Sequence, residues 1–299
     1  MQRRFLFIIN NTAGSGKHNG IEGVIEKAAD RYSTAYTIVY TRAPGHATLL
    51  SRNAIADGYD VVVAVGGDGT VNEVAQGLVG SSVPMGLIAR GSGNGLARHL
   101  GVSMNTLLAI DEVFGSNSLA IDTFTVNDRL SVNISGVGFD GHVADLFGRM
   151  RKRGFISYIK VALAEFRKFQ SFNSTMIVDG GESTRSAFII AIANSSQYGN
   201  NARIAPMASV MDGRLHMNIV RKVPAYRVDF LYSLFQGDVQ KSSFCEIIEF
   251  QTSAVIRTAQ PMPLHIDGEP AGRSREFRIK VNPGSLNVLV PRLMSAANT

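Results

Sequence analysis

The chain has 299 residues, of which 45% are hydrophobic, and this is typical of a globular protein long enough for two domains. The formal net charge of +6 would suit nucleic acid, an anionic membrane surface or a polyanionic substrate, and charge alone does not distinguish these partners. The single cysteine, Cys245, excludes an intrachain disulfide and favours a reducing compartment, so we expect a cytoplasmic protein.

Short apolar runs and helical patterns alternate through the first third of the chain. The runs FLFIIN, YTIVYT and DVVVAVGG are expected to be strands, with helix-like stretches near 21–31 and 47–57 between them. This alternation predicts an α/β domain, in which helices cover the faces of a parallel sheet. Because the pattern changes near residue 122, we assign residues 1–121 to this domain.

From Asp122 onward, segments with a period of two residues dominate, among them STMIVDGG, AFIIAIANS and EFRIKVN. Many short strands separated by Gly, Asn and Asp turns predict an all-β sandwich or barrel, to which we assign residues 122–287. An amphipathic helix at 155–169 interrupts the strands. No apolar segment is long enough to span a membrane, so any membrane contact is expected to be peripheral.

A glycine-rich turn, Gly66-Gly67-Asp68-Gly69, follows the third strand and leads into a helix. Glycines let the backbone approach a phosphate, and the helix N-terminus offers N–H groups to it. Thr70 and Glu73 have capping-box spacing, which predicts a helix beginning at that point. The alternative is a tight turn without a ligand. Asp68 either holds a magnesium ion near the phosphates or braces the loop through its own backbone.

Two further glycine loops follow strands, NNTAGSGK at 10–17 and ARGSGNGLARHLG at 89–101. Loops that follow strands of one parallel sheet meet at the same edge, where open α/β folds bind ligands. The GGDGT turn is not a dinucleotide fingerprint, because Asn72 stands where a third glycine is required. The 10–17 loop is not a Walker loop, because Asn11 replaces its first glycine and His18 its Ser or Thr.

Five segments together resemble the diacylglycerol kinase catalytic-domain family of lipid kinases, which also contains sphingosine and ceramide kinases. In chain order they are GGDGTVNEV, GSGNGLARHLG, GVGFDGHVAD, NSSQYGNNARIAPMASVMDGRL and HIDGEP. The GGDGT turn alone is shared with NAD kinases and phosphofructokinases. The resemblance implies an N-terminal α/β domain of the phosphofructokinase and NAD kinase type, a C-terminal β-sandwich, and a return of residues 288–299 to the first domain.

The resemblance also implies ATP and Mg²⁺ as cofactors and the hydroxyl group of a lipid as the acceptor. The residues expected to contact ATP are Asn10, Thr41, Gly66, Gly67, Asp68, Gly69, Thr70, Val71, Asn72, Glu73, Ser92 and Asn94. The D-G-E element takes the role of general base through Glu269, with Asp267 beside it, and Asp68 is the third carboxylate assigned to catalysis. Without the other motifs, Asp267-Gly268 would be interpreted as a simple hairpin turn.

Soluble bacterial members of this family carry a second, structural magnesium ion at a D-D-G-x-L element. Here SVMDGRL keeps Asp212 but has Met211 in place of the first aspartate. Asp212, with the backbone carbonyls of Ser209 and Arg214, could still bind a hard cation, and a plain turn aspartate is the alternative.

The identity of the lipid stays open because of one departure from the family pattern. Asn94 is followed by Gly95, where diacylglycerol kinases often have an aspartate that helps to hold magnesium and lipid. In this respect the chain resembles the sphingoid-base kinases. We therefore expect either diacylglycerol or a sphingoid base as the substrate.

A basic run precedes the amphipathic helix and suggests a membrane partner. The basic residues are Arg149, Arg151, Lys152 and Arg153, and the helix that follows carries Phe155, Ile156, Tyr158 and Ile159. Together they could dock on anionic lipid at the inner face of the membrane. The alternative is a helix packed on its own sandwich. A second copy of the chain, in a homodimer, is a further candidate partner. No nucleic-acid partner is expected, because no recognisable binding module is present.

The combined expectation is an ATP- and Mg²⁺-dependent lipid kinase. One rival is an NAD kinase, which shares GGDGT but fits GSGNGLAR and the D-G-E element poorly. The other is a non-catalytic lipid- or nucleotide-binding regulatory protein, a possibility that Gly95 and Met211 suggest.

Overall fold

The structure, a computed structural model, describes residues 2–11, 20–150, 154–224 and 226–291. The chain divides into two compact units, one of Met1–Ile121 with Gly284–Thr299 and the other of Asp122–Pro283. Each unit is described by itself.

The first unit is an α/β domain, as the strand and helix alternation predicts. Its strands are β1 (Arg4–Ile9), β2 (Ala35–Tyr40), β3 (Val61–Gly66) and β4 (Met85–Ala89), and its helices are α1 (Ile21–Arg31), α2 (His46–Ala56), α3 (Asp68–Leu78), α4 (Gly95–His99) and α5 (Thr106–Gly115). The parallel sheet has the order β2-β1-β3-β4. The end of the last strand pairs in parallel with β4, where Val288 faces Met85.

The central strand β3 shows why this sequence forms a covered sheet. All six residues of VVVAVG are buried, as expected for a parallel strand with helices on both faces. In α1 the buried side chains, Ile21, Ile25, Ala28 and Ala29, recur at helical spacing and form its apolar stripe. The carboxyl ends of these strands carry the glycine loops of the candidate site.

The predicted capping box at Thr70 and Glu73 is wrong. Helix α3 begins two residues earlier, at Asp68, and no side chain caps it. The Glu73 carboxylate instead accepts hydrogen bonds from the backbone N–H groups of Gly45 and Ala47, at 2.8 and 3.1 Å, where α2 begins. Glu73 therefore joins α3 to α2 and does not cap α3 in the way that its spacing to Thr70 indicated.

The second unit is the predicted antiparallel β-sandwich. Its strands are β5 (Asn117–Val126), β6 (Arg129–Ser131), β7 (Ile134–Gly138), β8 (Phe172–Val178), β9 (Gly181–Ala187), β10 (Ile189–Ala193), β11 (Leu215–Val220), β12 (Cys245–Phe250), β13 (Ser253–Ile266) and β14 (Glu269–Val290). Strands β5 and β14 each continue into the first unit. The central path is β12-β11-β10-β7-β13-β14, with β8 and β9 joined to β13, and β5 and β6 joined to β14.

Among the described residues of this unit, three α-helices accompany these strands, α6 (Phe139–Gly148), α7 (Phe155–Phe166) and α8 (Val228–Gln236). The sequence indicated α7 but not α6 or α8. The main core of this unit contains Phe124, Phe250 and Phe277 among its fully buried side chains. A second cluster, around Phe139 and Phe188, packs α6 against α7.

Candidate active site

The GGDGT turn forms a tight junction between β3 and α3. A Cβ at Gly66 would collide with the side chain of Thr70, so only glycine fits there. The first helical hydrogen bond runs from Val71 N to the carbonyl of Gly67, at 3.0 Å. The amides before it belong to the helix N-terminus, which favours an anion through its N–H groups and its dipole. Asn10, at the end of β1, donates from Nδ2 to Thr70 Oγ1 at 2.9 Å.

The third glycine loop packs directly against this turn. A Cβ at Gly91 would lie 2.6 Å from the Cα of Gly67, so the two backbones are in close contact. Asn94 adopts a left-handed backbone conformation with φ of 55°. Its Oδ1 accepts from Gly91 N at 2.9 Å, and its Nδ2 donates to Gly91 O at 2.8 Å. The side chain of Asn94 therefore holds its own loop in shape.

Asp68 connects the two loops. Its Oδ2 accepts a hydrogen bond from Asn94 N and its Oδ1 one from Gly95 N, both at 2.8 Å. These N–H groups lie at the start of α4. The geometry favours the bracing role over the magnesium role, although the braced backbone is that of the neighbouring loop. A direct catalytic role for Asp68 stays a prediction.

The remaining predicted ATP contacts fall into two groups. Thr41 follows β2, where its N–H donates to Ile9 O at 2.9 Å, and Ser92 is exposed in the third loop. Val71 and Asn72 are buried, and Asn72 accepts a hydrogen bond from Gln76. The Glu73 carboxylate binds the start of α2. Contacts of residues 71–73 with ATP stay a prediction.

In the second unit, the D-G-E element is the tip of the β13–β14 hairpin. Asp267 and Gly268 have φ angles of 48° and 87°, and Ile266 pairs with Glu269 across the turn. Positive φ at both central residues is the signature of a type I′ two-residue hairpin, for which Asp-Gly is a preferred sequence. Glu269 is exposed and is the first residue of β14.

The surroundings of Asp267 favour an anchoring role, and a catalytic role for this carboxylate stays a prediction. Its side chain is only 5% exposed. Its carboxylate accepts hydrogen bonds from the Ser131 hydroxyl at 2.6 Å and from the backbone N–H groups of Val132 and Asn133, each at 3.0 Å. A buried carboxylate with three donors is an anchor rather than a group that reaches a substrate. Asp267 thus ties the hairpin tip to the loop between β6 and β7.

A buried polar network lies beneath the same tip, and sequence reasoning missed it. Asp140 and His265 are 4% and 3% exposed, and His265 Nε2 lies 3.2 Å from Asp140 Oδ2. Tyr198 donates to the same oxygen at 3.0 Å, and Gly268 N donates to His265 Nδ1 at 3.1 Å. Burial, and then the Asp140 carboxylate, raise the pKa of Tyr198 well above its usual range, so Tyr198 stays a donor.

These residues stand inside segments that carry the family resemblance, GVGFDGHVAD, NSSQYGNN and HIDGEP. One signal could have revealed His265, namely a histidine within the apolar run PLHI of a predicted strand. A buried polar residue in such a run requires a partner.

The predicted structural magnesium site is a closed turn. Asp212 is exposed, and its Oδ1 accepts from Arg214 N at 3.0 Å, while Ser209 Oγ accepts from Met211 N at 3.3 Å. A carboxylate that sequence reasoning missed, Asp122, is 3% exposed and accepts from Gly213 N at 2.7 Å. Within the described part of the chain, no three His, Cys, Asp or Glu side chains cluster as a metal site. The geometry favours the plain turn, and a cation held by Ser209, Asp212 and Arg214 stays a prediction.

The predicted membrane-docking element is seen only in part. Residues 151–153 lie outside the described residues, and Arg149 forms an ion pair with Asp145 at 2.9 Å. Tyr158, which we grouped with Ile156, instead packs against Phe147 with ring centroids 5.5 Å apart. Ile156 is 71% exposed, because side chains two residues apart on a helix point to different sides.

No helix among the described residues is both long and apolar enough to cross a membrane.

Comparison with known families identifies the family of this chain. A family model described as the diacylglycerol kinase catalytic domain matches residues 4–126. A second model, described as the YegS C-terminal NAD kinase β-sandwich-like domain, matches residues 133–290, which is more than half of the chain. The chain belongs to the diacylglycerol kinase catalytic-domain family. It has the α/β domain and the β-sandwich that this family membership implies.

Curated relatives are similar to this chain in sequence, and a solved structure is similar to it in fold. The protein named "Probable lipid kinase YegS-like" of Chromohalobacter salexigens is 28% identical over 259 residues, which cover 83% of this chain and 81% of that protein. The "Diacylglycerol kinase" of Mycobacterium tuberculosis is 29% identical over 251 residues, which cover 80% of this chain and 79% of that protein. A crystal structure of a diacylglycerol kinase from Bacillus anthracis, 19% identical, shares the fold with a TM-score of 0.76 over 98% of each chain.

Proposed function

We propose that this family member transfers the γ-phosphoryl group of ATP to a hydroxyl group of a membrane lipid, either diacylglycerol or a sphingoid base. The observation that carries the proposal is the exposed carboxylate of Glu269 on a hairpin tip that Asp267 anchors by three hydrogen bonds. A general base must be held in place to accept a proton as the acceptor oxygen attacks.

Each part of the chemistry has a candidate in the chain. The glycine loops of the first unit present backbone N–H groups of a helix N-terminus to the phosphates. The lipid oxygen forms a bond to the γ-phosphorus, the bond from that phosphorus to the β,γ-bridging oxygen breaks, ADP leaves, and Glu269 accepts the hydroxyl proton. Magnesium, when bound to ATP, would neutralise charge on the phosphate oxygens. We assign it no protein ligand.

The test uses labelled ATP and vesicles that contain diacylglycerol or sphingosine, followed by separation of lipid from nucleotide products. We expect label in lipid. For Glu269→Gln we expect turnover to fall by about two orders of magnitude or more, which is the size of effect typical of general acid–base catalysis. Glu182 is a matched control, because it is exposed in the same unit just after another Asp-Gly turn, at 179–180. Glu182→Gln should keep full activity.

Three results would contradict the proposal. No labelled lipid from any lipid extract, beside an active reference kinase, would exclude lipid phosphorylation. Label in NADP would instead support the NAD kinase alternative. Thermal stabilisation by ATP without any turnover would support the regulatory protein, since a ligand stabilises the native state whether or not chemistry follows.

We also propose that the exposed face of α7 attaches the protein to an anionic bilayer. Ile156 and Leu163 are 71% and 66% exposed and lie two helical turns apart, with the exposed Lys160 between them. The opposite face of α7, including Tyr158 and Phe166, packs on α6 and Phe188. Apolar side chains interleaved with a cation are typical of a helix that lies in the membrane interface.

Helix α8 has similar character in the same unit. Tyr226, just before it, is 80% exposed, and Tyr232 within it is 68% exposed. Tyrosine is enriched at membrane–water interfaces, because the ring is apolar and the hydroxyl is hydrated. Arg227, at the start of α8, forms an ion pair with Asp229 at 2.7 Å, so the attachment of α8 rests on its tyrosines.

Vesicle sedimentation tests this attachment. The double variant Ile156→Glu/Leu163→Glu should bind phosphatidylglycerol vesicles at least tenfold more weakly than the wild type. Leu107→Glu/Leu108→Glu is the control, because these α5 side chains are likewise exposed, at 58% and 57%. Equal vesicle binding by all three proteins would contradict the attachment. A change in oligomeric state of the α7 variant with vesicle binding intact would assign this face to a homodimer.

A further inference from the structure

The hairpin tip that carries Glu269 is held from a second side by a histidine. His265 lies three residues before Gly268 on β13, and its Nδ1 accepts the N–H of Gly268 at 3.1 Å. Gly268 directly precedes Glu269. The imidazole therefore fixes the backbone at the residue next to the exposed carboxylate.

The direction of these hydrogen bonds follows from the chemistry of the ring. A nitrogen that accepts an N–H carries no proton, so the neutral ring of His265 has its proton on Nε2. That nitrogen faces Asp140 Oδ2 at 3.2 Å, and a carboxylate can only accept. Asp140 thus selects the tautomer of His265 that can hold Gly268.

Asp140 is itself fixed by its own partners. It lies in the first turn of α6, where the helix dipole favours a negative charge. Its Oδ1 accepts from Gly141 N at 2.8 Å and its Oδ2 from the Tyr198 hydroxyl at 3.0 Å. A Cβ at Gly136 would collide with the Asp140 carboxylate, so the neighbouring strand leaves room for this group.

We propose that Asp140 and His265 are positioning residues, which hold the turn before Glu269 in the conformation needed for phosphoryl transfer. The inference rests on the proposed function, because it assigns Glu269 the role of base. Burying a carboxylate and an imidazole costs desolvation free energy that an apolar pair would avoid. The network therefore serves the geometry of the tip more than the stability of the core.

Two variants of His265 separate its two contacts. The oxygen of asparagine lies close to the position of Nδ1, so His265→Asn keeps an acceptor for Gly268 N. The amide nitrogen of glutamine lies close to the position of Nε2, so His265→Gln keeps only the donor to Asp140. We expect kcat to fall about 10- to 100-fold in His265→Gln, since small displacements at a reacting group have effects of this size. His265→Asn should recover most of that loss, and KM for ATP should be unchanged in both variants.

His216 provides a matched control. It is also a buried histidine of the second unit, 4% exposed on β11, and it is not part of the network. His216→Gln should lower the melting temperature by an amount comparable to His265→Gln and leave kcat unchanged. Asp140→Asn, which removes the charge that selects the tautomer, should lower kcat as His265→Gln does.

A double-mutant cycle identifies the route of the effect. If His265 acts only through Glu269, His265→Gln should cause no further loss of kcat in a Glu269→Gln background. The same fold loss in both backgrounds would overturn the proposal, as would a His265→Gln variant with kcat within twofold of wild type.

Hydrogen exchange at the Gly268 amide separates this inference from the proposed function. We expect fast exchange in His265→Gln and protection in the wild type and in His265→Asn. If the wild type phosphorylated no lipid, the proposed function would fail, and the exchange data would still decide whether His265 holds the turn. Equal protection in all three proteins would overturn the inference, even in an active enzyme.

Discussion

Replacing Asp68 by asparagine is expected to separate the two glycine loops of the first unit. The Asp68 carboxylate accepts hydrogen bonds from the backbone N–H groups of Asn94 and Gly95, with N to O distances of 2.8 Å. A carboxamide has one oxygen, so one of these N–H groups would lose its acceptor and face an NH₂ group. Hydrogen bonds to a charged group contribute about 1.5–3 kcal/mol each, and Asp68 is half-buried, so we expect a loss of about 2–3 kcal/mol.

This loss corresponds to a fall in melting temperature of about 4–12 °C for a chain of this size. Nucleotide affinity should fall with it, because the loops that we propose to hold the phosphates would no longer be joined. Nucleotide affinity, melting temperature and turnover can be measured on one preparation by calorimetric titration with ATP, thermal denaturation and a lipid kinase assay. Asp60→Asn is the matched control, since the Asp60 carboxylate is exposed and accepts a hydrogen bond from the backbone N–H of Arg4 at 2.7 Å.

One outcome would refute this reasoning. If Asp68→Asn abolished turnover while melting temperature and ATP affinity matched those of Asp60→Asn, Asp68 would act on the metal or the phosphates. The bracing role would then be incidental.

Three other substitutions probe contacts described above. Gly91→Ala should weaken ATP binding in calorimetry, because its Cβ would lie 2.6 Å from the Cα of Gly67. Gly23→Ala is its control and should bind ATP normally and melt no lower than wild type, because a Cβ at Gly23 would meet no described atom outside its own helix within 4 Å. Asp267→Asn should lower the free energy of unfolding in urea by about 3 kcal/mol, because buried donors lose a charged acceptor, and an unchanged value would contradict the anchoring role. Burial lowers the pKa of His99 to about 4, below its unfolded value near 6.5, so the unfolded state takes up the proton first as pH falls. Stability should therefore decline between pH 6.5 and 4 by about 1–3 kcal/mol, and His99→Gln should flatten that decline in pH-dependent denaturation.

The sequence predicts both folds because the periodicity of each half is strong and local. The continuous apolar run of β3 indicates a strand buried on both faces, and it is one. The Asp-Gly pair at 267–268 indicates a hairpin turn, and the φ angles show one. Family resemblance adds which loops matter, since a loop pattern alone does not distinguish a phosphate site from a tight turn.

The roles of the carboxylates could not be predicted, because their partners are distant in the chain. Asp68 binds a backbone 26 residues away, Asp267 a loop 134–136 residues away, and Asp140 a histidine 125 residues away. Glu73 shows the same limit, since its spacing to Thr70 indicated a capping box but a contact 28 residues away was formed. A motif reports which residue types are present and not which of them the fold uses for support.

Strand β14 has a consequence for the order in which the protein is made. It begins at Glu269 in the sandwich and ends at Val290 in the first unit, where Ser285 accepts from Gly80 N and Val288 pairs with Met85. The first unit therefore needs a strand that leaves the ribosome only after the whole sandwich has been synthesised. Until then β4 has an unpaired edge, of the kind that pairs with other chains. We expect the first unit, although translated first, to complete its folding last.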